Sequence, residues 1–422
     1  MAFLFPRRRV LYRLAAWVYA QEANSPSMNE LLFSLYQRSP YALKVCAASL
    51  RGLHLRHWRY GSETDALVSR AVAREHWSPD QWARWQAERL SLILKLAKER
   101  IPHYVRVVHA AGAHDLRAWP VLPKSEVRRN PVGFLDPRCN RRLLWKETTS
   151  GTTGTPLTLW QSRATLRQWY ALFEARWRGW NGLSRHDRWG ILGGQLITPA
   201  GNTKPPFWVW NAAMKQLYLS SYHLRPEHGS AYVESLRDHG VTYLWGYASA
   251  LSALARIVID HRLSPPPLRA IISNAEPLYG HQRQTIRDAF RCRVVDTYGM
   301  SEMVCAASEC EAGRMHLWPE VGIPEILRDD RDEPAPPGEP GRLVCTGLIS
   351  TEMPLIRYDT GDRVALEPEH AKCECGRTLP LLRQVEGRCD DTILTPDGRR
   401  VGRLDPVFKA ALPIVEAQIE QR

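Results

Sequence analysis

Nine consecutive residues, Thr148-Thr149-Ser150-Gly151-Thr152-Thr153-Gly154-Thr155-Pro156, supply six hydroxyls, two glycines and no charge. Hydroxyl and amide donors at this density suit a loop that wraps phosphate oxygens. Glycine permits the positive backbone angles such a loop needs and lets the main chain come close to a ligand. No Gly-Lys-Ser/Thr ends the stretch, so it is not a Walker loop. Taken alone, it also reads as a polar surface turn. A second constellation is Cys310-x₅-His316 with Cys373-Glu374-Cys375-Gly376. Two short ligand pairs far apart in sequence suit one tetrahedral structural Zn²⁺ formed by Cys310, His316, Cys373 and Cys375. Cys-x-Cys is tighter than the usual Cys-x₂-Cys, so spacing leaves free buried cysteines as the other reading, and Cys305 as an alternative ligand.

Three further segments bear on the first loop. Tyr298-Gly299-Met300-Ser301-Glu302 follows the alternating apolar run Arg293–Thr297. Arg357-Tyr358-Asp359-Thr360-Gly361-Asp362 comes later, and Gly387-Arg388-Cys389-Asp390-Asp391 last. In this order the four segments resemble the adenylate-forming enzymes: acyl-coenzyme A synthetases, luciferases and nonribosomal adenylation domains. The likeness is strongest to the phenylacetate–coenzyme A ligase branch and its capsule and exopolysaccharide relatives, and it runs from about Glu88 to the C-terminus.

The resemblance implies ATP-dependent attack of a carboxylate on the α-phosphate, giving an acyl adenylate and pyrophosphate, then transfer to coenzyme A or another acceptor. A weak anionic nucleophile meets an anionic electrophile, so such a site must neutralise phosphate charge and hold the reactants in line. By resemblance, Ser150, Gly151, Thr152, Thr153, Gly154 and Thr155 cradle the β- and γ-phosphates. Glu302 binds Mg²⁺, Thr297 places a hydroxyl on the α-phosphate, and Tyr298 stacks on adenine. Asp362 accepts from the ribose hydroxyls, Arg388 lies near ribose and phosphate, and Glu276 lines the adenine pocket. The branch often carries cysteine and histidine where the Zn²⁺ constellation lies here. His223 falls where relatives place a residue by the acyl carboxylate, but a surface histidine is the plainer reading.

Two departures matter. Many relatives carry a lysine just after the phosphate loop, where this chain reads Pro156-Leu157-Thr158. Asp390 matches the hinge before a mobile C-terminal domain that bears a catalytic lysine. Only 32 residues follow Asp390, and Lys409, the one lysine among them, does not match that position. The expectation is therefore a truncated C-terminal subdomain beginning at the strand-like Ile414–Ile419, and activity that is slow or needs a partner. The rival is a non-catalytic nucleotide-binding scaffold.

The elements that must position these residues alternate between strand and helix. Gln81–Arg100 reads as a helix, with Ser125 a candidate cap for the next. Strand patterns at Pro156–Trp160, Trp189–Gly193, Val241–Tyr247 and Ala270–Asn274 alternate with helical ones at Arg163–Arg178 and His281–Phe290. This argues for an α/β fold: a large adenylate-forming domain with mainly parallel sheets packed with helices, plus a smaller β-rich part. The expected division is a helical, basic extension at 1–75, a core at 76–387, and a hinge and remnant at 388–422.

Composition is that of a globular protein, 44% hydrophobic and 24% charged. Residues 1–150 hold 25 Lys/Arg against 12 Asp/Glu, and the rest of the chain holds 32 of each. The basic excess thus sits in the first third and includes Arg7, Arg8, Arg9 and Arg13. It would attract an anionic partner or a membrane surface, or form a solvated basic face with no partner. Nucleic-acid binding is disfavoured because no recognition module accompanies the charge. No stretch approaches the roughly 20 apolar residues of a membrane span. No secretory signal is evident, and nine cysteines without framework spacing fit a reducing cytoplasm.

Overall fold

The computed structural model describes residues 33–107, 115–149, 157–368, 371–388, 393–394 and 400–401. The expected phosphate-loop residues 150–156, the N-terminal arginines and the expected C-terminal remnant beyond residue 401 lie outside them. The chain divides into two compact units, one of 1–61, 181–274 and 278–295, the other of 62–180, 275–277 and 296–422.

The first unit is built on a six-stranded sheet. In spatial order its strands are Trp208–Asn211, Gln216–Ser220, Trp189–Gly193, Tyr243–Tyr247, Ala270–Asn274 and Arg293–Val295. All neighbours run parallel except the first pair. Parallel neighbours need crossover connections, and helices Gly229–Asp238, Ala248–Asp260 and Gly280–Phe290 supply them. Ala248–Asp260 turns Leu251, Leu254, Ala255 and Val258 into a core with Leu192, Leu244, Ile271 and Val294. Each fully buried Leu, Ile or Val side chain among them contributes about 1.5–3 kcal/mol. Gly246 has no substitute there, because a Cβ would stand 2.6 Å from the Leu192 carbonyl oxygen. Helix Tyr41–Arg59 belongs to this unit and sets Gly52 against the Asn211 side chain.

The second unit carries a seven-stranded sheet. Its order is Gly322–Leu327, Gly341–Gly347, Tyr358–Leu366, Leu381–Arg388, Met315–Leu317, Ala306–Glu309 and Thr297–Gly299. Every neighbouring pair is antiparallel. The α/β class is the expected one, with the parallel order confined to the six-stranded sheet. From Thr297 onward, the described residues hold no helix between strands, so the strands pair antiparallel instead. Gly322 accommodates a main-chain crossing: a Cβ there would fall 2.0 Å from the Val304 carbonyl oxygen.

Helix Pro79–Arg100 starts with Ser78 and Gln81 capping each other reciprocally, and buries Ile93, Leu94, Leu96 and Ala97. Ser125 does not cap the next helix. Lys124–Arg129 follows Pro123 without a side-chain cap, and Ser125 is its second residue. The expected helix at 163–178 is α-helical over Arg163–Leu172 and a π-turn over Phe173–Arg178, whose six residues are all buried. Strands Trp145–Thr148 and Thr158–Gln161 pair antiparallel, with Thr148 opposite Thr158. The Thr149 amide then donates to the Leu157 carbonyl at 3.0 Å, extending that pairing. Among the described residues no helix is long and apolar enough to cross a membrane.

Candidate active site

Glu302 follows strand Thr297–Gly299 in a turn where Met303 adopts φ 52°. It is 8% exposed and lines a small cavity with Trp160, Gln161, Met303 and Met353. Burial by itself would push its carboxyl up. The Lys124 ammonium beside it, with hydrogen bonds from Lys124 and Tyr358, outweighs burial and holds the carboxyl below the usual range. Lys124 Nζ donates to Glu302 Oε1 at 2.9 Å, and the Tyr358 hydroxyl donates to the same oxygen at 2.8 Å. Burial and the facing carboxylate push the Tyr358 phenol far up, so it remains a donor. A carboxylate kept ionised next to a cavity is chemically suited to a hard divalent cation such as Mg²⁺.

Lys124 and Tyr358 are the functional residues that sequence reasoning missed. Tyr358 stood inside a segment already singled out, four positions before Asp362. Lys124 stood in a stretch read only as a turn and helix start. No local pattern ties it to a glutamate 178 positions later; only the fold does.

The Tyr298 hydroxyl donates to Asp362 Oδ2 at 2.6 Å. Burial, then the Asp362 charge, raises the Tyr298 phenol well above its usual range. The segment carrying Asp362 is fixed by its own bonds: Thr360 Oγ1 to the Leu343 carbonyl at 2.8 Å, and the Asp362 amide to Thr360 Oγ1 at 3.1 Å. A carboxylate accepts several hydrogen bonds, so one from Tyr298 leaves capacity for a diol. Sheet register sets Arg388 directly across from Asp362. Thr297 is 6% exposed on the same short strand as Tyr298. Glu276 is half-buried and follows Ala275, whose φ is 61°. Left-handed angles at Ala275, Met303 and Arg357, none a glycine, each cost about 1 kcal/mol or more, and such strain gathers at functional segments.

The structure brings the four expected metal ligands together. The ligand atoms of Cys310, His316, Cys373 and Cys375 all lie within 4.8 Å of one another. Cys310 Sγ is 3.5 Å from Cys373 Sγ, and Cys375 Sγ is 3.3 Å from His316 Nε2. Donors around a tetrahedral zinc stand roughly 3.5–3.8 Å apart given the usual bond lengths, so the cluster has a fitting size. His316 Nδ1 meets the Leu379 carbonyl oxygen at 3.1 Å. A carbonyl accepts only, so Nδ1 carries the proton and Nε2 faces the thiols. Burial pushes the Cys310 thiol up to about 12, a penalty that a bound cation would offset. Cys305 is not part of this cluster; it packs in the main core of the second unit with Cys345. His223 is not a surface residue either. It is 2% exposed, stacked on Phe207 at 4.8 Å, with Nε2 3.1 Å from the Pro199 carbonyl oxygen.

A family model for AMP-binding enzymes matches residues 147–351, a span containing Tyr298 and Glu302. Protein CapK of Staphylococcus aureus is 29% identical over 257 residues, covering 60% of this chain and 55% of CapK. The phenylacetate-coenzyme A ligase of Thermus thermophilus is 27% identical over 330 residues, covering 73% of this chain and 71% of that enzyme. The chain therefore spans little more than half the length of CapK. Among solved structures, 2-hydroxyisobutyryl-CoA ligase in its postadenylation state, in complex with R3-HIB-AMP, superposes with TM-score 0.57. It is 19% identical and covers 80% of this chain and 74% of the ligase, a likeness of fold. Over residues 147–351 the chain is thus similar to AMP-binding enzymes. Beyond that span it is similar in sequence to phenylacetate-coenzyme A ligases and to CapK.

Proposed function

We propose that this chain binds MgATP and activates a carboxylic acid as its acyl adenylate, for transfer to coenzyme A or another acceptor. The observation that carries the reading is Glu302, buried yet ionised beside a cavity by Lys124 and Tyr358. An oxygen of the acid attacks the α-phosphorus, the α–β phosphoanhydride bond breaks, and pyrophosphate leaves with its electron pair. Bound at Glu302, Mg²⁺ would lower the charge on the reacting phosphates. Lys124 supplies a positive charge at this centre, in a chain with no lysine at 156–158. Tyr298 and Asp362 present a ring and a carboxylate for adenine and ribose, with Thr297 and Arg388 toward the α-phosphate. Ser150–Thr155 hold the departing phosphates, and Glu276 lines the adenine pocket.

The coenzyme A arm draws on the solved 2-hydroxyisobutyryl-CoA ligase complexed with 2-HIB-AMP and CoA. A role in surface polysaccharide synthesis rests on the family resemblance and the likeness to CapK. We place Zn²⁺ on Cys310, His316, Cys373 and Cys375 as a closed structural site, because three thiols and one oriented imidazole leave no open position. The basic first third offers a surface for an anionic partner, and the cytoplasm is the compartment that suits the free thiols. Calorimetric titration with MgATP tests the nucleotide reading. Binding should weaken at least about tenfold in Asp362→Ala, and the Mg²⁺ requirement should disappear in Glu302→Ala. Unchanged binding in both variants would refute it.

A further inference from the structure

Lys124 begins a helix only six residues long, yet its ammonium must stay on one oxygen of a buried carboxylate. What aims it is found at Arg357. The Leu122 amide donates to the Arg357 carbonyl at 2.8 Å, and the Asp359 amide returns a bond to the Leu122 carbonyl at 2.9 Å. Leu122 thereby bridges in parallel to Tyr358. The Arg357 side chain, 6% exposed, reaches further back along the same segment. Its Nη1 donates to the Trp119 carbonyl at 2.8 Å while Nε donates to Glu325 Oε2 at 3.1 Å. Its own amide donates to Thr346 Oγ1 at 3.0 Å. One residue therefore fastens Trp119 and Leu122, and its chain neighbour Tyr358 is the other donor to Glu302.

We propose that Arg357 is the positioning residue for Lys124. Its guanidinium fixes the register of Trp119–Lys124 against strand Tyr358–Leu366, so that Lys124 and Tyr358 converge on the same Glu302 oxygen. Arg357 is not among the residues that line the cavity, and it acts through Lys124. The planar fork matters: it serves a carbonyl and a carboxylate at once, in fixed directions, whereas an ammonium on a flexible stem does not. The left-handed backbone at Arg357, φ 46°, is the strain these bonds hold in place. The inference deepens the reading of Glu302 as the metal and phosphate centre, and rests on it for its meaning in catalysis.

The test reads Lys124 directly and does not need turnover. Acetic anhydride is applied at limiting dose, and acetylation of each lysine is followed by mass spectrometry. An ammonium pinned to a carboxylate acylates slowly. In Arg357→Lys the rate at Lys124 should rise about tenfold, as expected for a broken local network, with exposed Lys95 unchanged as internal reference. Glu325→Gln, which loosens one side of the fork, should give a smaller rise and covers the case in which Arg357→Lys misfolds. Glu302→Gln should raise the rate as much as Arg357→Lys, and the double variant should add nothing. A wild-type rate at Lys124 in folded Arg357→Lys, or strictly multiplicative effects in the double variant, would overturn the proposal. Absence of acid-dependent pyrophosphate release from the wild type is a different failure, that of the adenylation reading, and leaves this readout intact.

Discussion

Replacing Lys124 by Met keeps most of the side-chain volume and removes the charge that holds Glu302 ionised. At 2.9 Å and an effective dielectric near 20, the pair's Coulomb attraction is about 6 kcal/mol. Desolvation offsets part of it. Both groups are largely enclosed, with side-chain exposures of 18% for Lys124 and 5% for Glu302. Breaking a buried pair by deleting one partner typically costs about 3 kcal/mol, because the other charge is left uncompensated. Lys124→Met should therefore unfold at lower denaturant concentration at neutral pH, by an amount corresponding to about 3 kcal/mol. The sign of its pH dependence is diagnostic. In the wild type, the lowered Glu302 carboxyl contributes stability above its ordinary value, lost as pH falls through the folded value. In the variant, burial is opposed only by the hydrogen bonds from Tyr358 and the backbone, so the carboxyl rises from its wild-type position and the buried charge is relieved by protonation at a higher pH. The stability deficit should shrink steadily from about pH 7 toward about pH 5. A deficit of the same size at both ends, or none at neutral pH, refutes the reasoning that Lys124 keeps Glu302 charged.

Other consequences follow from the same structure. Tyr358→Phe removes one hydrogen bond to the charged Glu302 and should destabilise by about 1.5–3 kcal/mol in the same denaturation assay, at most matching Lys124→Met. Asp362→Asn takes away a charge that raises the Tyr298 phenol. Ultraviolet titration should then find Tyr298 ionising at lower pH than in the wild type. Elemental analysis of the purified chain should find about one zinc per molecule, lost in a Cys310→Ser/Cys373→Ser variant, with a lower unfolding temperature for the variant or after chelation. Three thiols close enough to share a cation make that prediction specific to this cluster and not to Cys305 or Cys345.

Much of the site was legible because its chemistry is written in short segments. Tyr298 and Asp362 lie 64 positions apart, yet each sits in a motif whose residue types announce a nucleotide, and the fold joins them at 2.6 Å. The clustering of Cys310, His316, Cys373 and Cys375 was legible for the same reason, as two close-spaced pairs. In the first unit, Trp189–Gly193, Tyr243–Tyr247 and Ala270–Asn274 were legible as short apolar runs, whereas the parallel strand Gln216–Ser220 was not read. Other features had no local signature. Lys124 reaches Glu302 only because Leu122 pairs with a strand formed more than two hundred residues later. Cys305 matched the metal ligands in residue type but turns into the core. His223 looked like a surface imidazole, yet Phe207 and the Pro199 carbonyl enclose it. The switch to antiparallel pairing from Thr297 onward followed from missing crossover helices, a cue that becomes visible only when the strands are counted together.

The central claim, that the Glu302 centre supports adenylation, is tested most directly by pyrophosphate release. Wild type and Glu302→Gln would be assayed with MgATP across a panel of aryl, fatty and hydroxy acids, with hydroxylamine to trap activated acyl groups. The account predicts release that depends on a particular acid, forms the matching hydroxamate, and falls at least about a hundredfold in Glu302→Gln. MgATP binding without acid-dependent release from any acid, or release unchanged in Glu302→Gln, would contradict it.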